Sequence, residues 1–223
     1  MVNFSDIKGF IFDLDGVITD TAVFHSRAWR QVAAQVQVAW DDQLADQLKG
    51  ISRMESLNLI LARGNKVDDY TDDEKEALAT AKNENYLKLV NQMTPADILP
   101  GINEFLAELK QGGYLLSLAS ASKNAQLVLN KLGLAGYFEK MVDPTSLKKG
   151  KPDPEIFRRG AEILNLRPEN CIGIEDAAAG IESINGAGET SIGVGDPKVL
   201  AKANICFSTT RDLTLNNINN VFN

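Results

Sequence analysis

The sequence predicts an α/β protein: a parallel sheet flanked by helices, with a small helical block inserted after the first strand. Three observations lead there. A short apolar run, Phe10 to Phe12, passes directly into Asp13-Leu-Asp-Gly16, as a buried strand ended by a turn would. From Ala22 to about Met93 only helical spacing is found. Beyond that block, strand-like and helix-like stretches alternate, which implies a parallel sheet covered on both faces.

Taken in order, the first strand is followed by helices expected over His25 to Val38, Gln43 to Leu48, Arg53 to Arg63 and Asp72 to Gln92. The last carries Ala77, Leu78, Ala81, Leu87 and Val90 at mixed three- and four-residue steps, and Thr71 with Glu74 forms a capping-box pattern at its start. The alternating part then reads as a helix over Asn103 to Lys110, a strand over Tyr114 to Ala119 and a helix over Asn124 to Leu132. A short strand is expected at Met141 and Val142. A helix follows over Pro154 to Leu164, with Pro154 suited to its first turn. The series ends with a strand over Cys171 to Ile174, a helix over Ala178 to Asn185 and a strand over Ser191 to Val194. The tail, Asn216 to Asn223, is Asn-rich and shows no repeat.

At 223 residues the chain suits one large domain or a core with a smaller insert, and 44% hydrophobic residues suffice for a core. The formal net charge of −7 argues against general nucleic-acid binding, which needs a basic face. It leaves room for an anionic small substrate held by a few local Lys and Arg. Cys171 and Cys206 are too few for a disulfide framework or a zinc site and are expected as buried thiols in a reducing compartment. Neither a signal-like N-terminus nor an apolar run of membrane-spanning length is found, so a cytoplasmic protein without membrane association is expected.

The chemistry gathers at strand ends. In an open parallel sheet, ligands sit in the crevice beyond the carboxyl ends of the strands, where Asp13 and Asp15 would lie. Two carboxylates so close call for a counter-charge, and a hard cation such as Mg²⁺ supplies one through oxygen ligands. An ionised carboxylate is also a nucleophile able to form an aspartyl-phosphate, and a second can move the hydroxyl proton. By itself the run fits a solvated Asp-Leu-Asp-Gly turn equally well. Ser120-Ala-Ser-Lys-Asn124 leads from a strand into a helix, where hydroxyls and free N–H groups suit a phosphate or simply cap the helix. Lys151 stands between Gly150 and Pro152, where a solvated loop charge is the alternative. Glu175 and Asp176 follow another strand, where an acid pair also complements a helix dipole. Singly each is weak; together they bring carboxylates, a hydroxyl and a lysine to one rim.

Asp13-x-Asp15-Gly-Val, Ser120, Lys151 and Glu175-Asp176 resemble, in order and spacing, the four motifs of the haloacid dehalogenase superfamily of phosphotransferases, across essentially the whole chain. That resemblance implies a Rossmann-like core over 1–19 and 94–223 and a helical cap over 20–93. Within the superfamily, Asp13 to Thr21, His25, Leu48-Lys-Gly-Ile-Ser-Arg53, Lys82-Asn83, Leu118 to Asn124 and Gly150-Lys-Pro-Asp-Pro154 are most similar to the sugar-phosphate mutase branch, the β-phosphoglucomutases. The run Ala177-Ala178-Ala179-Gly180 departs from it, since many members are polar at the first two positions.

The resemblance implies an isomerase that interconverts β-D-glucose 1-phosphate and D-glucose 6-phosphate, primed by β-glucose 1,6-bisphosphate. The alternative on the same core is a phosphatase of small sugar phosphates. Asp13 would be the nucleophile and Asp15 the general acid–base. Mg²⁺ would be held by Asp13, the backbone carbonyl of Asp15 and Asp176, with Glu175 beside it. Ser120 and Lys151 would clamp the transferring phosphoryl. Arg53 would bind the phosphate that is not being transferred. Ser122, Lys123 and Asn124, next to Ala121, would help, and Lys49, Gly50 and Ile51 would line the sugar cavity. His25, with Thr21 and Lys82, would link cap closure to Asp15. The partner is a small sugar phosphate and the chain is expected to act as a monomer.

Overall fold

The computed structural model describes residues 3–222. The first strand, β1, spans Gly9–Phe12 and is buried throughout. Helices follow: α1 (Ala22–Gln35), α2 (Asp42–Gln47), α3 (Arg53–Arg63) and α4 (Asp72–Val90). Then come α5 (Ile102–Gln111), β2 (Leu115–Leu118), α6 (Ala125–Leu132), α7 (Glu155–Ile163), β3 (Cys171–Glu175), α8 (Ala178–Ala187) and β4 (Thr190–Val194). β5 (Ile205–Phe207) and α9 (Leu215–Phe222) close the chain. Among the described residues no helix is long and apolar enough to cross a membrane.

The five strands form one parallel sheet in the order β2-β1-β3-β4-β5. The chain runs from β1 to β2 on one side, then returns past β1 to β3 on the other. This reversal leaves a crevice between β1 and β3 at their carboxyl ends, where open α/β sheets bind ligands. Alternation along β1 supplies two core faces. Phe10 and Phe12 pack with Phe105, Leu106 and Phe138 on one face, while Ile11 packs with Ile156, Phe157 and Ile181 on the other. A third cluster belongs to α1–α4 and their connections: Trp29, Val32, Val36, Leu44, Leu57, Ile60, Leu61 and Leu78 bury one another.

Local chemistry sets the helix limits. α4 starts with the expected reciprocal cap, as Glu74 N–H donates to Thr71 Oγ1 at 3.3 Å and Thr71 N–H donates to Glu74 Oε2 at 2.8 Å. Ser52 and Glu55 form the same box before α3, which pins Arg53 in its first turn. α1 begins earlier than the expected His25 and stops at Gln35, because Gln37 takes a left-handed φ of 56° and turns Val38 out of the helix.

Four sequence expectations change. Met141 and Val142 do not form a strand; Met141 makes a single parallel bridge to Leu118. β5 was not expected, because its three residues are too few for a periodic signal. The Asn-rich tail is helical: Leu215, Ile218 and Phe222, spaced three and four apart, face the core, with the Phe222 ring 5.4 Å from that of Phe4. Cys171 is buried as expected, but Cys206 is exposed, because along β5 Ile205 and Phe207 turn inward and Cys206 between them turns out.

One buried group weakens this fold at neutral pH. Glu189, just before β4, is 5% exposed, and neither carboxylate oxygen has a hydrogen-bond partner. Burial raises its pKa well above the usual carboxylate value. The folded chain therefore holds a proton that the unfolded chain releases above about pH 4.5, so stability falls as pH rises towards the folded pKa. Glu189→Gln is expected to stabilise the protein by about 1–3 kcal/mol at pH 7 and to be near neutral at pH 4. Thermal melts at the two pH values check this; a destabilised variant at pH 7 would contradict it.

Candidate active site

Strand register builds the site. Phe12 pairs with Leu118 on one side and Ile174 on the other, so the next residues along the rim are Asp13, Ala119 and Glu175. Ala119 N–H donates to the Phe12 carbonyl at 2.7 Å and Asp13 N–H to the Ile174 carbonyl at 3.0 Å, which carries the pairing to the edge. Ser120 and Asp176 follow one residue further along. At Gly16, with φ of 76°, a Cβ would lie 2.1 Å from Asp176 Oδ2, so only glycine lets the two loops meet.

Lys151 is the buried cation of this rim. It is 2% exposed and donates to Asp13 Oδ1 at 2.8 Å and to Glu175 Oε1 at 2.7 Å. Glu175 Oε2 accepts the N–H groups of Asp176 at 2.8 Å and Ala177 at 2.7 Å. Backbone thus serves Glu175 at Ala177, where a polar side chain is absent. Both Glu175 oxygens are engaged, and the residue lies behind Lys151 rather than in the cleft wall. Asp176 faces Asp13 instead, and Asp13, Glu175 and Asp176 bring ligand-type oxygens within 4.8 Å of one another.

Negative charge outweighs positive charge here. Burial, offset by Lys151, raises Asp13 to about 6. Burial and then the Asp13 charge raise Asp15 to about 8. Asp176 is pushed well up by burial and then by Glu175 and Asp13. Asp15 Oδ1 is buried without a partner. The all-oxygen acidic cluster of Asp13, Glu175 and Asp176 fits a hard divalent cation such as Mg²⁺ and does not fit zinc, which favours nitrogen and sulfur.

The α1–α4 block covers this rim. In the loop before α3, a Cβ on Gly50 would lie 3.5 Å from Ala177 Cβ and 3.9 Å from Glu175 Oε1, so the loop sits on the acidic cluster. Lys49 pairs with Asp46 at 2.9 Å, and its pKa is raised first by that bond and further by the charges of Asp176 and Asp20. His25 Nδ1 is 2.7 Å from Lys82 Nζ, and its Nε2 is 3.7 Å from Asp15 Oδ2. Lys82 is 3% exposed and lies 4.9 Å from the ring centres of both Trp29 and Tyr86. Burial, followed by repulsion from Arg53, lowers Lys82 to about 7. Arg53 Nη2, from α3, and Asn124 Nδ2, from just before α6, both donate to Asn83 Oδ1 at 2.8 Å. Ser120 Oγ accepts from Ser122 N–H at 3.1 Å.

The cleft between the α1–α4 block and the sheet rim has a volume of about 1520 Å³. Asp13, Asp15, His25, Lys49, Gly50, Ile51, Arg53, Lys82, Ser120, Ala121, Ser122, Lys123, Asn124, Lys151 and Asp176 all line it. Trp29, Tyr86 and Asn83 were not expected as site residues. Trp29 lies four residues after His25, and Tyr86 four after Lys82, so the helical same-face spacing was the available signal.

Comparison with known proteins agrees with this architecture. Residues 7–188 match the family model of haloacid dehalogenase-like hydrolases. A β-phosphoglucomutase of Bacillus subtilis (strain 168) is 46% identical over 209 residues, 94% of this chain and 92% of its own. The crystal structure of a β-phosphoglucomutase from Clostridium difficile superposes with a TM-score of 0.95 at 47% identity, covering 97% of each chain. A phosphorylated carbohydrates phosphatase of Thermotoga maritima is 30% identical over 184 residues, 82% of each chain. With the family model spanning most of its length and two relatives near half identity, the chain belongs to the haloacid dehalogenase-like hydrolase family.

Proposed function

We infer that this protein is a β-phosphoglucomutase, interconverting β-D-glucose 1-phosphate and D-glucose 6-phosphate. The reading rests on the β-phosphoglucomutase names of the 46% and 47% identical relatives. The observation that favours it over a phosphatase is the cap-side guanidinium of Arg53, which shares the cleft with Asp13. A phosphatase needs one phosphate subsite; a mutase that passes through a bisphosphate needs two.

In this reading Asp13 attacks the phosphorus of the sugar phosphate through a carboxylate oxygen. Lys151, already bonded to Asp13, moves its second donor from Glu175 towards the phosphoryl oxygens, and Ser120 offers its hydroxyl. The P–O bond to the sugar breaks, and the sugar oxygen takes a proton from Asp15. Asp15 holds that proton near neutral pH because burial and the Asp13 charge favour its neutral form. In the reverse step a sugar hydroxyl returns a proton to Asp15 as its oxygen attacks the aspartyl-phosphate. β-Glucose 1,6-bisphosphate is the intermediate that joins the two halves. Asp13, the Asp15 carbonyl and Asp176 would hold Mg²⁺, with Glu175 beside them, and the ion would supply charge neutralisation at the phosphoryl oxygens. The acceptor is a sugar hydroxyl rather than water because the cap, seated on the rim at Gly50, shields the aspartyl-phosphate.

The test is a product assay with β-glucose 1-phosphate, Mg²⁺ and a trace of the bisphosphate. Glucose 6-phosphate is expected to dominate. Glucose and free phosphate as the main products would instead favour the sugar-phosphate phosphatase reading, which the Thermotoga maritima relative represents.

A further inference from the structure

Asn83 receives two donors from opposite walls of the cleft at one oxygen. Arg53 stands in the first turn of α3 on the cap, and Asn124 immediately precedes α6 in the core. A guanidinium has only donors, so the atom it meets must be the carboxamide oxygen, and Asn124 must then present its Nδ2 to that oxygen. Two donors converging on one neutral oxygen mark a point suited to an anionic one. We propose that Asn83 is a positioning residue for the bisphosphate: it holds Arg53 and Asn124 aimed at the distal phosphate and surrenders both to it. This rests on the mutase reading above.

The surroundings explain why a carboxamide suits the task. Arg53 is long and half-buried, and the charge of Glu76, on the same helix as Asn83 and also lining the cleft, acts on it. A full ion pair to a carboxylate would hold the guanidinium against an incoming phosphate. A neutral acceptor restricts its rotamers, yet a phosphate outcompetes it, because it pairs charge with charge and can accept two guanidinium N–H groups at once. The same oxygen ties α4 of the cap to the start of α6. Arrival of the phosphate therefore replaces a cap–core contact rather than merely adding one. Asn83 acts through its two neighbours, so its loss should weaken bisphosphate capture more than the chemical step.

The experiment measures turnover of glucose 1,6-bisphosphate with Mg²⁺ as total sugar monophosphate released, each turnover leaving on Asp13 a phosphoryl that water then removes. KM for the bisphosphate is then defined whether or not the enzyme isomerises, and the separate product assay with β-glucose 1-phosphate judges the mutase reading. Asn83→Ala is expected to raise KM about tenfold, with kcat changed less than about threefold. In an Arg53→Ala background the same substitution should change KM by less than about twofold, because the donor it aims is gone. Asn83→Asp keeps an acceptor and the helix but adds charge, and should raise KM more than alanine does. Melting temperatures of the variants separate binding effects from misfolding. An equal KM penalty in both backgrounds, a loss confined to kcat, or an aspartate variant matching the wild type would overturn the proposal.

Discussion

Asp13→Asn is expected to abolish phosphoenzyme formation and to lower turnover by roughly 10⁴-fold or more, the scale seen when a nucleophile is removed from a catalytic unit. An amide oxygen is a poor nucleophile at phosphorus, and the asparagine cannot carry the covalent phosphate. The substitution should leave the fold intact, because Lys151 keeps its 2.7 Å bond to Glu175 and that carboxylate keeps its two backbone donors. Asp15→Asn makes the useful contrast. It removes the group that moves the proton while leaving its backbone carbonyl in place. Turnover should fall about 10²- to 10⁴-fold, with substrate binding largely retained. Acid-quench trapping followed by peptide mapping checks both variants. Phosphate recovered on Asp15 in the wild type would reverse the two roles.

Arg53→Ala should separate isomerisation from hydrolysis within one molecule. In the first half-reaction the phosphoryl passes from Asp13 to the sugar and makes a bisphosphate, which must turn round and offer its other phosphate. Whichever phosphate is distal then needs a cation away from Asp13. Arg53 is the cleft-lining guanidinium that the capping box of α3 aims from the cap side. Loss of a charge-assisted contact of this kind typically lowers turnover by roughly 10²-fold. Hydrolysis of the phosphoenzyme needs no distal phosphate, so the ratio of mutase to phosphatase turnover should fall by a similar factor. The ratio is read from glucose 6-phosphate and free phosphate in the same reaction. If both rates drop together, Arg53 supports the cap or the core chemistry; if neither drops, it is a surface arginine.

Much of the site was legible because β1, β2 and β3 are short, buried and parallel. Once Phe10 to Phe12, Tyr114 to Ala119 and Cys171 to Ile174 are read as neighbouring strands, their first polar successors must share a rim. The observed register sets Asp13 between Ala119 and Glu175. The order of the strands was not legible, since it depends on which crossover passes which, and apolar runs do not encode that. β5 and α9 escaped because three residues show no period and asparagines obscure Leu215, Ile218 and Phe222. Met141 looked like a strand through two apolar residues, yet only one bridge to Leu118 forms. The setting of Lys82 was also hidden. Trp29 and Tyr86 lie on different helices, and only the packing of α1 on α4 brings both rings to its ammonium group. The double use of Asn83 Oδ1 likewise comes from the meeting of α3, α4 and the start of α6, invisible in the Lys82-Asn83 pair.

The central claim is that the phosphoryl on Asp13 returns to a sugar rather than to water. Its most direct test starts from enzyme labelled with ³²P on Asp13, mixed with unlabelled β-glucose 1-phosphate and Mg²⁺ and quenched within one turnover. Attack by the sugar 6-hydroxyl places the label on the 6-position. The bisphosphate then returns its unlabelled 1-phosphate to Asp13. The label should therefore leave as glucose 6-phosphate. Label recovered as inorganic phosphate, with unlabelled sugar phosphate unchanged, would contradict the account.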